Sequence, residues 1–454
     1  MPTPDQLVKS MSDALVERAA RVETYIAYYR GQVQVAYATE KWRETYGSLF
    51  DELADNWAQI VVDSAVERLK IEGFRFGPED DVADVQAWQL WQANYLDADS
   101  IVAHTQACMT GLAYLLVTPG ADPDTPRITI ESPLQVIVQT APEDRRKRTA
   151  ALKLWIDEDG DGRAMLYTPT EFQPFVRAKQ RKTWTLDGDP IENPVGVVPV
   201  VPMINNPDVL GHGMSDLTVM LSLQDAINKL LADLLVNSEY VAYPQRFVTG
   251  IEVPTNPETG RKFTLDEWTS QVMRLYSAPN RTWFAESKDA QFGSLPETSG
   301  NGYVQQIEML VQHIAAQTRT PPHYLTAGMG QWPSGDSLKA SEAGLVAKVR
   351  RKQVTFGEAW EETMRLAFAY RGDSARANAT DVETIWADPE QRNEGALVDA
   401  LTKMATLGVP VDALYQRWGA TPQERARWEA DGFPAVLPPG TPVPASSPAT
   451  TNGG

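Results

Sequence analysis

The chain of 454 residues is poor in the side chains that build most catalytic and metal centres. It holds one cysteine, Cys108, and four histidines, His104, His212, His313 and His323. A single cysteine excludes an intrachain disulfide framework and a cysteine-rich zinc site, and it suits a reducing compartment. Cys108 itself reads as a small buried side chain near an apolar strand. No histidine stands at a metal-ligand spacing from another or from Cys108, so each reads as a surface or packed residue. Long hydrophobic runs are missing as well. None approaches the ~20 residues that span a bilayer, so no membrane partner is expected. The stretch Met1 to Gln6 has neither the basic start nor the apolar run of a signal peptide. Positive charge is scarce: 41 Lys and Arg face 60 Asp and Glu, a net charge of −19. Tight grip on phosphates comes from neutralising them. If a chain this acidic meets DNA, it should let DNA pass rather than hold it, although a local basic face stays open. No internal repeat is present.

Motifs of known chemistry are incomplete. Asp157, Asp159 and Asp161, followed by Gly162, match the first half of a calcium loop, but Thr168 stands where a bidentate Glu belongs. The flanks alternate like strands, so a hairpin tip is the better reading. Gly330 to Ser337 has the glycine spacing of a phosphate-binding loop with Asp336 in place of the Lys, and a carboxylate there would repel phosphate. No G-x-G-x-x-G follows a strand and no G-x-S-x-G occurs. No catalytic, cofactor-binding or metal residue is therefore assigned, and no cofactor is expected.

What the chain does have is 43% hydrophobic and 22% charged residues, ordinary for a protein with a real core, and a length that allows two to four domains. The pattern predicts helices over 4–30, 55–69 and 80–97. Strands follow over 112–118, 127–130, 135–139, 150–156, 164–168 and 182–186, and Glu72 to Gly77 reads as a turn and short strand. Arg145, Arg146, Lys147 and Arg148 form a basic patch in one connecting loop. Residues 193–202 are too rich in proline for a central strand and read as an extended lead-in. A long helix from a Ser337 cap to about Tyr370 buries Leu345, Val349, Phe356, Trp360, Met364 and Ala367. It also carries the basic run Lys348, Arg350, Arg351 and Lys352, which either pairs with acids or contacts DNA phosphate. A strand over 381–387, short helices over 391–407, 412–418 and 422–430, and a Pro/Ser/Thr/Gly tail complete the pattern.

Two amphipathic helices bracket a short β-rich insert with strand candidates at 243–249, 274–276 and 282–285. The first runs from Ser215 to about Glu239 with Met220, Leu223, Ile227, Leu230 and Leu234 on one stripe. The second runs from Gly302 to about Thr318 with Tyr303, Ile307, Leu310 and Ile314. Narrow apolar stripes with wet opposite faces suit helices packed around a hole.

These parts, in this order, resemble the portal proteins of tailed bacteriophages, most of all those of long-tailed phages that infect actinobacteria. The likeness is carried by Tyr28-Tyr-Arg-Gly31, Val61-Val-Asp-Ser-Ala-Val-Glu-Arg-Leu69 and Asn205-Asn-Pro207. It continues in Gly213-Met-Ser-Asp-Leu217, the Leu223-Gln-Asp-Ala-Ile-Asn-Lys-Leu-Leu-Ala-Asp233 run and Pro322-His-Tyr-Leu325. The resemblance implies an α+β, multi-domain portal-type subunit without enzymatic activity. Its helical and β wing would be 1–213, its stem helices 214–242 and 301–320, and a small α/β clip 243–300. A tunnel loop with the long helix would occupy 321–370, a wing strand with crown helices 371–433, and a disordered tail 434–454. Candidate tunnel-loop residues are Gly328, Met329, Gly330, Gln331, Trp332 and Gly335. The implied assembly is a ring, commonly of twelve subunits, at one capsid vertex of the virion, built in the host cytoplasm. Implied partners are the terminase large subunit, the major capsid protein and a scaffold, the head–tail connector, and double-stranded DNA in transit. Two other readings stay open at this point: a metal-dependent nuclease using Asp157, Asp159 and Asp161, and a capsid-associated adaptor.

Overall fold

The computed structural model describes residues 3–33, 55–77, 83–181, 183–242, 246–249, 291–294, 300–325, 335–390 and 394–420, with scattered positions between 255 and 289 and between 424 and 428. The candidate tunnel-loop residues Gly328, Met329, Gly330, Gln331 and Trp332, the expected strands at 274–276 and 282–285, and the tail from 434 lie outside them. Two compact units emerge from the chain: a large one of 1–34, 54–224 and 311–454, and a small one of 35–53 and 225–310.

The large unit begins with α1 (Pro4–Tyr29), which opens on a reciprocal cap. Thr3 Oγ1 accepts from the Gln6 amide at 3.4 Å, and Gln6 Oε1 accepts from the Thr3 amide at 3.0 Å. The helix buries Val8, Met11, Leu15 and Val22, and Gly31 at φ +69° ends it. Next come α2 (Trp57–Val66), β1 (Ile71–Phe76), α3 (Val85–Ala93) and α4 (Leu96–Thr110). Then follow β2 (Leu112–Thr118), β3 (Arg127–Glu131), β4 (Val136–Ala141), β5 (Asp144–Ile156), β6 (Gly162–Tyr167), β7 (Glu171–Arg177), β8 (Thr185–Leu186), β9 (Ile191–Glu192) and β10 (Val200–Ile204).

One antiparallel sheet has the order β4-β5-β6-β7-β8 with β9 also on β7; a second has the order β10-β2-β3. The middle of β5, Ala150 to Leu152, is buried on both faces. Ala150 and Leu152 pack with Ala164, Leu166 and Phe175 against Val8 and Met11 of α1. Ala151 faces the other way and packs with Tyr114, Leu116, Val136, Tyr167 and Phe172. The three-stranded sheet thus covers one face of the larger sheet and α1 the other. Pro202 lies in β10, an edge strand, where its missing N–H leaves no ladder bond unmade. The basic patch is not a loop: Arg145, Arg146, Lys147 and Arg148 form the start of β5, because the β4–β5 hairpin turns as early as Ala141 and Asp144.

Two helices lead out of and back into the large unit, α5 (Leu221–Ala242) and α6 (Asn301–Thr318). Between them, in the small unit, β11 (Arg246–Thr249) pairs antiparallel with β12 (Gln291–Ser294). After α6 come α7 (Pro322–Leu325), the 37-residue α8 (Gly335–Arg371), α9 (Ser374–Ala377), β13 (Val382–Trp386), α10 (Glu394–Thr406) and α11 (Val411–Trp418). β13 pairs antiparallel with β1. At 1.5 Å per residue α8 is about 55 Å long. Its inner face, Leu345, Val349, Phe356, Trp360, Met364 and Ala367, is fully buried. Trp360 meets Trp91 of α3 edge-on at 4.9 Å, and Phe356 stacks on His104 of α4 at 5.5 Å. α8 starts at Gly335, so Ser337 lies inside the helix and not at its cap.

Candidate functional site

The first connecting helix begins later than its sequence pattern suggests. α5 starts at Leu221, and Ser215 to Met220 form turns that fasten the chain to the large unit. Ser215 Oγ donates to the Met109 carbonyl at 2.5 Å and accepts from the Leu217 amide at 3.0 Å. The backbones cross closely just before this point. A methyl group added at Gly213 would sit 2.0 Å from the Gly111 carbonyl oxygen, and Gly111 itself has φ +90°.

Asp216 is the centre of this attachment. Its carboxylate accepts from Asn205 Nδ2 at 3.0 Å, Asn206 Nδ2 at 2.9 Å and Lys352 Nζ at 3.0 Å. Its second oxygen lies 2.9 Å from Lys352 Nζ and 3.1 Å from Lys348 Nζ. Lys352 also bonds to Asn205 Oδ1, and Lys348 donates to the Thr318 carbonyl at 3.2 Å. Burial alone raises the Asp216 pKa, but Lys348, Lys352 and Asn205 outweigh it and hold the carboxyl far below the usual range. For Lys352, burial opposes the charged form, and Cys108 and Asp216 overcome it, so the pKa stands above its ordinary value. Burial pushes the Cys108 thiol up to about 11, so this cysteine is a packed thiol and not a nucleophile.

A second polar cluster lies where α7 meets α8. Arg68 Nη2 is 3.2 Å from Glu342 Oε1 and donates to Tyr324 Oη at 2.6 Å, while Nη1 donates to the Pro389 carbonyl at 2.9 Å. Tyr324 Oη donates to Glu342 at 3.3 Å, and His323 Nε2 stands 3.7 Å from the same carboxylate. Tyr324 precedes and Glu342 follows the candidate loop residues in sequence, and Arg68 contacts both.

The basic run on α8 therefore divides. Lys352 is only 1% exposed and Lys348 is 12% exposed at the side chain, and both belong to Asp216. That corrects the expectation that these two lysines face DNA: residues four apart share a helix face, and this face is the core. Arg350 and Arg351 point outward. Arg350 is 57% exposed and stands 3.7 Å from Asp388 and 3.5 Å from Glu390. Among the stripe residues, Met220, Ile227 and Ile314 are fully buried, and Leu223, Leu230, Leu234, Tyr303, Ile307 and Leu310 are half-buried. Gly335 is the first residue of α8.

The acidic turn at Asp157 is a hairpin tip between β5 and β6. Asp157 pairs with Arg163 at 2.7 Å and accepts from the Asp161 amide at 2.8 Å, and Asp161 accepts from the Lys179 amide at 2.9 Å. These carboxylates hold the turn and do not converge on an open position. Among the described residues no group of three acidic, His or Cys side chains could hold a metal ion, and no helix is long and apolar enough to cross a membrane.

Sequence reasoning missed both polar clusters, yet their parts were in view. Asn205-Asn206 and Ser215-Asp216 carry the family likeness and meet each other. So do Arg68 and Tyr324, from two other such stretches. What could have flagged the first cluster is the i,i+4 spacing of Lys348 and Lys352 among buried apolar positions.

Known proteins similar to this chain include two phage portal proteins. The portal protein of Mycobacterium phage D29 is 32% identical over 387 residues, covering 82% of this chain and 74% of that protein. The portal protein of Mycobacterium phage L5 is 28% identical over 438 residues, covering 93% and 84%. A solved structure titled "Neck of empty GTA particle computed with C6 symmetry" covers 78% of this chain and 88% of its own, at 10% identity and a TM-score of 0.44. That score is too low for a structural argument. A family profile described as "Phage portal protein, SPP1 Gp6-like" matches residues 9–417. With nine-tenths of its length inside that match, this chain belongs to the phage portal protein family.

Proposed function

We propose that this portal-family chain is the subunit of a closed ring, of about twelve copies, at one vertex of a phage head. The ring conducts double-stranded DNA during packaging and ejection. It docks the large terminase subunit first and the head–tail connector afterwards, and it contacts the major capsid protein and a scaffold. In this reading 1–213 is the wing, 214–242 and 301–320 the stem, and 243–300 the clip. The tunnel loop and long helix are 321–370, the wing strand and crown 371–433, and the tail 434–454. The subunit is structural, with no bond made or broken on it.

The observation that carries the reading is the family match over residues 9–417. The apolar stripes of α5 and α6 support it: six of their nine members are half-buried in the single chain, which leaves apolar area for a neighbour. The net charge of −19 supports it too, because a strongly negative bore disfavours sticking to the DNA it conducts. Arg350 and Arg351 are the remaining candidates for contact with phosphate.

Gold-labelled antibody against the chain tests the reading on intact heads. Label at a single vertex of each head is expected; label at every vertex or over whole faces would overturn it. Leu230→Asp puts an unpaired charge on the stripe and is expected to lower the ring fraction sharply in sizing chromatography. Normal rings from that variant would mean the stripe does not pack.

A further inference from the structure

The buried charges around Asp216 do not balance. One carboxylate meets two ammonium groups, so the cluster carries one positive charge more than an ion pair needs. Lys352 alone neutralises Asp216 and is held by Asn205 as well. A second lysine at the rim of the cluster, 12% exposed at the side chain, is a poor way to stabilise such a pair, since an apolar side chain of similar length would fill the space without desolvating a charge. Lys348 differs from Lys352 in its third contact. Its Nζ also reaches the carbonyl of Thr318, the last residue of α6. The carbonyls at a helix C-terminus lack intrahelical partners and carry the negative end of the dipole, so a cation is favoured there. Asp216 lies five residues before α5 starts. One ammonium group thus joins the chain entering α5 to the end of α6, and it does so from a single position on α8.

We propose that Lys348 is a positioning residue that couples the two connecting helices to each other and to α8. The outgoing and returning chains then shift together when α8 shifts, and not independently. Lys352 and the asparagines hold Asp216 in place; Lys348 carries the link. That the linked motion passes between the long helix and the stem rests on the portal reading. The coupling itself does not, because it can be measured on purified protein whatever its assembly.

The test is hydrogen exchange of amides over 311–320, read in a cycle of Asp216→Asn and Lys348→Met. Lys348 Nζ contacts both Asp216 and the Thr318 carbonyl, so in this proposal the effect of Asp216 on that segment passes through Lys348. Asp216→Asn is expected to speed exchange over 311–320 several-fold in the otherwise natural chain, and to add nothing in the Lys348→Met background. An equal effect in both backgrounds, or none in the natural chain, would overturn the proposal. Should Asp216→Asn not fold, Lys348→Met alone decides. Faster exchange over 311–320 with β2 amides (112–118) unchanged, restored by Lys348→Arg, supports the link. Uniform loss of protection, or no change over 311–320, refutes it.

Discussion

Lys348 and Lys352 face the core of the large unit, and Arg350 and Arg351, lying between them, face away from it. The inner pair meets Asp216 and the asparagines in a buried cluster, while Arg350 stands in solvent at 3.5 to 3.7 Å from two acids. The run is uniform in charge and divided in task. Helix period, not proximity in sequence, sorts the four residues. The same rule separates the rest of α8. Phe356 meets His104 of α4, Trp360 meets Trp91 of α3 and Met364 is fully buried, whereas Val354 is 69% exposed on the far side. Basic residues on a helix of an acidic protein therefore say little about a polyanion partner until their faces are known.

The contrast can be broken most severely at Asp216. Asp216→Ala leaves the buried Lys352 ammonium and the largely covered Lys348 ammonium without their carboxylate and is expected to cost about 3–5 kcal/mol, read as a lower denaturation midpoint in urea. A loss under 1 kcal/mol would mean that solvent reaches the cluster.

The inner face also responds to pH. His104 accepts from Trp360 Nε1 at 2.9 Å and stacks on Phe356. Burial, aided by Lys352 and opposed by the Leu69 backbone, pushes its pKa down to about 3. Between that value and the ordinary 6.5 the unfolded chain binds a proton that the folded chain refuses. Stability from this group is therefore complete above pH 6.5 and falls as pH drops through the window, with a limiting slope of about 1.4 kcal/mol per pH unit. Asp216 adds to that slope only at its acid end: its folded pKa is depressed, so its stabilisation is complete above the ordinary carboxylate value and is lost as pH falls from there towards the folded pKa. His104→Gln keeps an acceptor for Trp360 and is expected to flatten the stability–pH profile between 6.5 and 4. An unchanged slope in that variant would assign the titration elsewhere.

The outer face gives the smallest effect. Arg350→Gln with Arg351→Gln is expected to shift stability within about 0.5 kcal/mol, because exposed pairs contribute little. A larger loss would show that the outward ion pairs with Asp388 and Glu390 matter to the fold.

Much of the fold was legible where periodicity was strong. α1, β2 and the inner face of α8 follow directly from apolar spacing, and β5–β6 from alternation around a glycine turn. α4 was not legible as a helix to Thr110. Between Leu96 and Met109 near its two ends, its buried side chains are small or polar, Ser100, Ala103, His104, Ala107 and Cys108, and they make no large apolar stripe. β7 was hidden by Pro174. Pro174 lies where β8 and β9 meet along β7: β9 pairs with Glu171 and Phe172, β8 with Phe175 and Val176, and the Asp187 amide still donates to the Pro174 carbonyl at 2.9 Å. β12 lies at 291–294, where no strand was expected. At the site, the sequence placed the basic run on a helix correctly but could not say which two residues would find Asp216, since that partner lies 132 to 136 residues away and only the fold brings it near.

The central claim is that this portal-family chain closes into a ring, and its mass in solution tests it most directly. Light scattering of the purified protein, with images of the same sample, is expected to give a closed particle of about 600 kDa with a central hole, from twelve subunits of 50.3 kDa. A monomer or dimer that persists at every concentration and in the presence of its capsid protein, or an open chain of subunits that never closes, would contradict it.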